Sequence, residues 1–230
     1  MNKSSPLGGS TGKAGEGGSS PPARDTKMKL YGAPNPAPNP RRVRIFLAEK
    51  GIDLPEIPVN MMKGEHKAPA FKAKNSLGQI PVLELDDGTV ITETISICRY
   101  LDALYPDKPL FGTTPLEVAK IDMTIRRIEF QLMTPVGMFW RHAHPYTAKL
   151  LTQFQDFGES NRETVNRVMT WLDQELDGQD FMAGNAYSMA DIAALTTIDF
   201  AAWIGLPMPE GLERLGRWHA AVSARPSALA

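Results

Sequence analysis

Leu77-Gly78-Gln79-Ile80-Pro81-Val82-Leu83-Glu84-Leu85-Asp86-Asp87-Gly88-Thr89-Val90-Ile91-Thr92-Glu93-Thr94-Ile95-Ser96-Ile97-Cys98-Arg99-Tyr100 is the stretch that decides the fold. Val82–Leu85 and Val90–Ile91 read as two strands. Asp86-Asp87-Gly88 turns the chain between them, because Gly tolerates the positive φ that a tight hairpin needs. Thr94 is placed to cap a helix running through Ile97, Tyr100, Leu101 and Leu104. Pro81 stands where a strand begins, so it either marks a sheet edge or follows a cis peptide bond. A cis bond would leave the Ile80 N–H and C=O facing outward, free to pair with an extended ligand.

Upstream, Met28–Tyr31 reads as a short strand, and Gly32–Pro40 is a loop that its four prolines keep from helix or strand. Pro40 opens a helix whose apolar face is Val43, Phe46 and Leu47, and Gly51 ends it. Leu54–Val59 is a second strand, followed to Asn75 by a mixed loop and short helix. Downstream, Asp107–Pro115 is a linker with two prolines. After it, every pattern is helical. Val118, Ile121, Ile125, Ile128 and Leu132 recur at spacings of three and four, Pro135 is expected to kink or end that helix, and Glu163–Leu176 is amphipathic. Ser188-Met189-Ala190-Asp191 is a capping box with Asp as the reciprocating acid.

These readings divide the chain into a flexible leader over 1–27, an α/β domain over 28–106, a linker over 107–115 and an all-helical domain over 116–230. The leader is rich in Gly, Ser and Pro and has no apolar core of a signal peptide. With 230 residues, 42% of them hydrophobic, the chain can bury one or two cores. A net charge of -1 supplies no field to recruit nucleic acid or an anionic membrane, and no apolar run is long enough to span a bilayer. The single cysteine, Cys98, excludes an internal disulfide and a Cys-x-x-Cys redox pair, which fits a reducing, cytoplasmic compartment.

The Ile80-Pro81 hairpin with Glu93-Thr94 at a helix start resembles the glutathione-binding segment of the cytosolic glutathione transferases. The likeness runs from Met28 to the C-terminus. Lys63-Gly64-Glu65-His66-Lys67 with Leu83–Thr89 is most similar to a fungal and bacterial group within that family. The resemblance implies a thioredoxin-like N-terminal domain, an all-α C-terminal domain and a homodimer. It also implies an enzyme that conjugates glutathione to a hydrophobic electrophile, with glutathione as co-substrate, no bound cofactor and no metal.

Carried over position by position, the family pattern assigns the γ-glutamyl group to Glu93 and Thr94, and the cysteinyl backbone to Ile80 beside Pro81. It assigns the glycyl carboxylate to Lys63 and His66, with Gln79 nearby. Met138, Trp140, Arg141, His144 and Tyr146 are the expected lining for the second substrate, though the same stripe is equally consistent with core packing.

Where serine-using members carry the hydroxyl that bonds the sulfur, this chain has Ala37. A free glutathione thiol has a pKa near ~8.5 and is only a few per cent thiolate at neutral pH, so another group must take the role. Asn35, Arg41 and His142 are the candidates. Tyr31 precedes the position used by tyrosine-dependent classes and reads as a core or edge aromatic. A further possibility, from the same resemblance, is a water held by the stretch Pro135–His142, where the small Gly137 lacks a hydroxyl. The loss of the Ala37 hydroxyl also leaves open a non-catalytic glutathione or ligand carrier. Peroxide reduction by bound glutathione is the other alternative.

Overall fold

The computed structural model describes residues 27–230, so the expected leader lies outside the described residues except for Lys27. Four strands and three helices come first. They are β1 (Lys29–Gly32), α1 (Pro38–Lys50), β2 (Glu56–Pro58), α2 (Pro69–Lys72), β3 (Val82–Glu84), β4 (Val90–Thr92) and α3 (Thr94–Leu104). The sheet order is β2-β1-β3-β4, with β1 parallel to β2 and antiparallel to β3, and β3 antiparallel to β4. This is a thioredoxin-like arrangement. Asp86-Asp87-Gly88 makes the hairpin as expected: Leu85 N–H donates to the Thr89 carbonyl at 2.8 Å and Gly88 takes φ 84°.

Two expectations shift here. Pro81 does not mark an edge, since β3 is flanked by β1 and β4; the Ile80-Pro81 bond is cis. Helix α1 starts at Pro38, two residues before Pro40, because proline is tolerated in a helix's first turn, where no N–H partner exists. Gly51, at φ 66°, ends it.

The helical part contains α4 (Pro115–Arg127), α5 (Thr134–His142), α6 (Gln155–Glu175), α7 (Met189–Trp203) and α8 (Glu213–Ser223). Between α4 and α5 the backbone does not stop but widens into a π-helical segment, Ile128–Met133. Thr134 N–H donates to the Glu129 carbonyl five residues back. Pro135 explains the change. It has no N–H, and its ring collides with the carbonyl four residues earlier, so a wider turn carries the helix past it. Pro135 therefore neither ends the helix nor disturbs it at its own position.

Helix α7 is the centre of the molecule, buried at every position from Met189 to Ile198. Its N-terminus carries the expected capping box, with Ser188 Oγ accepting from Ala190 N–H at 3.3 Å and Asp191 accepting from Ser188 N–H at 2.9 Å. Asp191 also accepts from Met182 N–H and Trp218 Nε1–H, both at 2.9 Å. Burial pushes its carboxyl pKa up, and these three hydrogen bonds, with a fourth from the Ser188 hydroxyl at 3.1 Å, pull it back. Helix α1 packs against α7 across the two domains, which brings the first turn of α1, the Pro81 loop and the start of α3 to one cleft facing the helical part. No described helix is long and apolar enough to cross a membrane.

Candidate functional site

A cavity of about 160 Å³ opens where those elements meet, lined by Gln79, Ile80, Pro81, Glu93 and Thr94, with Asn39, Arg42, Asn75, Glu129 and Met133. Five of the seven residues expected to hold glutathione thus share one recess. The loop that presents Gln79 and Ile80 is fixed from behind. Buried Asn75 donates its side-chain amide to the Gln79 carbonyl at 2.9 Å and accepts from Leu77 N–H at 3.1 Å. Lys67 Nζ holds the Gly78 carbonyl at 2.9 Å. Gly78 has φ 58°, and a Cβ there would lie 2.6 Å from the His66 carbonyl, so this turn takes only glycine. Ile80 itself makes no backbone hydrogen bond among the described residues.

Thr94 is not the helix cap. It is the first residue of α3, while Glu93 occupies the cap position at φ 65°, and no side chain caps the helix. The first N–H groups of α3 are consequently free at the positive end of the helix dipole and open toward an anion. A positive φ on a non-glycine residue costs about 1–3 kcal/mol and is characteristic of functional positions.

Arg42, which sequence reasoning missed, is 2% exposed. Its Nε donates to Thr196 Oγ1 at 3.1 Å and its Nη2 to Thr197 Oγ1 at 2.8 Å, both on α7. Nη1 stands 3.6 Å from Glu129 Oε1. Burial lowers the Arg42 pKa and Glu129 opposes the shift. The cavity wall thus combines a buried cation, two carboxylates (Glu93 and Glu129) and a helix N-terminus.

Lys63 and His66 are not in the wall. Lys63 is exposed on the loop before α2, and His66 sits behind Gly78 with Nδ1 buried and unpartnered. Burial and neighbouring Lys67 keep the His66 pKa below the ordinary histidine value, so the ring is neutral at pH 7.

The three residues expected to stabilise the sulfur are all engaged elsewhere. Asn35 Oδ1 accepts from Arg44 Nη2 at 2.6 Å on the far side of the Pro34–Pro36 loop. Arg41 is paired with Asp199 at 2.6 Å and donates to the Ala228 carbonyl at 2.9 Å, tying α1 to the C-terminal turn. His142 packs on Phe154 and Phe157 of the α5–α6 corner and accepts from Phe154 N–H at 3.4 Å. Arg41 and Arg42 are adjacent in sequence but about 100° apart around the helix, which is why one faces the cleft and the other does not. Tyr31 donates to Glu84 Oε2 at 2.7 Å beside Lys74, on the sheet and not in the cleft.

The expected second-substrate residues only partly come together. Trp140 stacks on Tyr146 (centroids 5.4 Å, planes at 21°), contacts His144 at 4.6 Å, and meets Phe200 and Trp203 of α7 at 5.5 and 5.6 Å. Tyr146 OH reaches Met62 Sδ across the cleft. Met138 is two residues from Trp140 and so points to another side of α5; side chains at that spacing do not share a helix face. Arg141 is exposed.

Residues 37–104 match the family described as "Glutathione S-transferase, N-terminal domain", and residues 139–226 match "Glutathione S-transferase, C-terminal domain". Glutathione S-transferase 2 of Saccharomyces cerevisiae is 40% identical over 205 residues, covering 87% of this chain and 88% of the relative. The chain belongs to the glutathione S-transferase family. Two solved glutathione S-transferase structures are similar throughout. Gtt2 from Saccharomyces cerevisiae superposes with a TM-score of 0.82 at 40% identity, over 87% of this chain and 98% of that one. A glutathione S-transferase domain-containing protein of Marinobacter aquaeolei VT8 gives 0.81 at 39% identity, over 86% and 98%. Among glutathione S-transferases this chain is thus placed beside a fungal and a bacterial member, in keeping with the group that its Lys63–Lys67 and Leu83–Thr89 motifs resemble.

Proposed function

We propose that this chain binds glutathione in the Arg42–Glu93–Glu129 recess and conjugates its thiolate to a hydrophobic electrophile. One observation carries the reading: a single recess offers complementary groups for a zwitterionic amino-acid end next to an unpaired backbone edge. The γ-glutamyl carboxylate meets the free N–H groups of α3 and the field of Arg42. The γ-glutamyl ammonium meets Glu93 and Glu129. The cysteinyl backbone pairs with Ile80, which directs the sulfur toward the first turn of α1. The glycyl carboxylate extends toward Lys63 and His66, outside the recess.

Thiol activation then falls to α1 itself. Pro38 and Pro40 have no N–H, and Arg41 N–H is bonded to the Ala37 carbonyl, so Asn39 has the free N–H of that turn. The Asn39 N–H and the positive end of the α1 dipole favour the thiolate where a side-chain hydroxyl is missing. A homodimer in the cytoplasm completes the reading. It is supported by the exposed apolar side chains Leu77 (61%), Met123 (45%) and Phe130 (62%), and by a buried single cysteine.

The test is a glutathione titration followed by the ultraviolet absorbance of the bound thiolate across pH. Saturable binding with a thiol pKa below the free value supports the reading. Saturable binding with an unshifted pKa instead favours a carrier without turnover.

A further inference from the structure

Gly137 occupies a position that neither the glutathione recess nor the aromatic wall uses. On α5 it lies four residues after Met133, which lines the recess, and three before Trp140, which anchors the wall. Residues at those spacings share one helix face, so Gly137 stands between the two. A Cβ built on it meets no heavy atom within 4 Å, the adjacent residues and the helix's own backbone aside. The space in front of it is open. Beyond it, Trp140 anchors Tyr146 and Trp203, whose rings are 44% and 52% exposed.

Resting on the transferase reading above, we propose that Gly137 is the size selector of the second-substrate cleft. Its bare backbone admits a flat aromatic electrophile that packs against the exposed Tyr146 and Trp203 rings. The electrophilic carbon then sits over Gly137, between the aromatic wall and the recess-lining Met133. Helical glycine costs about 1 kcal/mol relative to alanine, and this one serves no positive-φ turn, which leaves the open space as its structural effect. Stacking suits the wall because aromatic pairs favour offset geometry at centroid distances of about 4.5–7 Å. In the reaction the glutathione sulfur forms a bond to the ring carbon, a halide leaves with the bonding electron pair, and the thiol proton passes to solvent.

The experiment compares kcat/KM for 1-chloro-2,4-dinitrobenzene and for iodomethane in the wild-type chain, Gly137→Ala and Gly137→Leu. Both substitutions raise helix propensity, so loss of fold is not the expected outcome. We expect the ring-to-methyl ratio of kcat/KM to fall about tenfold or more in Gly137→Leu and by a smaller factor in Gly137→Ala. Wild-type turnover of both reagents with an unchanged ratio in the variants overturns the selector while leaving the transferase reading standing. Wild-type protein that binds glutathione but consumes neither reagent overturns the transferase reading, and the selector with it.

Discussion

Replacing Ala37 by Ser tests where the sulfur lies. Ala37 is the N-cap of α1, and no side chain caps that helix. A hydroxyl at this position can donate its O–H to the glutathione sulfur while its oxygen accepts from the Asn39 N–H in the ordinary manner of an N-cap serine. A hydrogen bond to a charged group contributes roughly 1.5–3 kcal/mol and one to a neutral group about 0.5–1.5 kcal/mol. The hydroxyl therefore favours the thiolate over the thiol by about 1–1.5 kcal/mol, and at ~1.4 kcal/mol per unit the bound thiol pKa should fall by about 0.7–1.1 units. The assay is thiolate absorbance at saturating glutathione, titrated in the wild-type chain and in Ala37→Ser. At pH 7 the variant should also turn over faster. An unchanged pKa in a variant that still saturates with glutathione refutes the placement of the sulfur beside α1, whatever happens to the melting temperature.

Three further outcomes are expected. Arg42→Lys keeps a charge but loses the fork that joins Thr196 and Thr197, so glutathione affinity should fall about tenfold or more; calorimetric titration giving an unchanged Kd would remove Arg42 from the site. Asp191→Ala strands the Met182, Ser188 and Trp218 N–H donors in a buried setting, each worth about 1–3 kcal/mol, so denaturant unfolding should show a loss of about 3–5 kcal/mol. Glu49 is held below the usual glutamate range by hydrogen bonds from Arg225 and Ser227, offset in part by burial. Because the folded pKa is depressed, its stabilisation is present above the unfolded value near ~4.3 and lost as pH falls through the lower folded value. The stability difference between wild type and Glu49→Gln should accordingly be full at pH 7 and shrink in acid, and a difference that grows in acid would reverse the assignment.

Much of the fold was legible because its signals are local. The Asp-Gly turn, the proline-rich loop, the Ser188–Asp191 box and the apolar spacing of Val118–Leu132 each specify backbone conformation within a few residues. The Pro81 loop and Glu93-Thr94 were legible as a pair for the same reason, since a hairpin of fixed length brings them together. What escaped notice depends on contacts distant in sequence. Arg42 is distinguished from Arg41 only by Thr196 and Thr197, some 155 residues later, and Asp199 takes Arg41 out of the cleft. His142 has a polar side chain in a promising stretch, yet the α5–α6 corner supplies Phe154 and Phe157 to cover it. Met138 and Trp140 belong to the same stripe in the sequence, and only their angular positions on α5 separate them.

The widened segment Ile128–Met133 sets the phase of everything after it. A helix advances about 100° per residue, so the extra residue accommodated there turns α5 by that angle relative to α4. Deleting one residue within the segment would force the helix to ordinary spacing, and Pro135 would then meet the carbonyl four residues earlier at a cost of about 3 kcal/mol. It would also swing Gly137 and Trp140 away from the cleft and bring other side chains round in their place. A length change of one residue at this point would thus exchange the aromatic wall and, through Glu129 and Met133, the helical side of the recess, while Gln79, Ile80, Glu93 and Thr94 kept their places on the other domain.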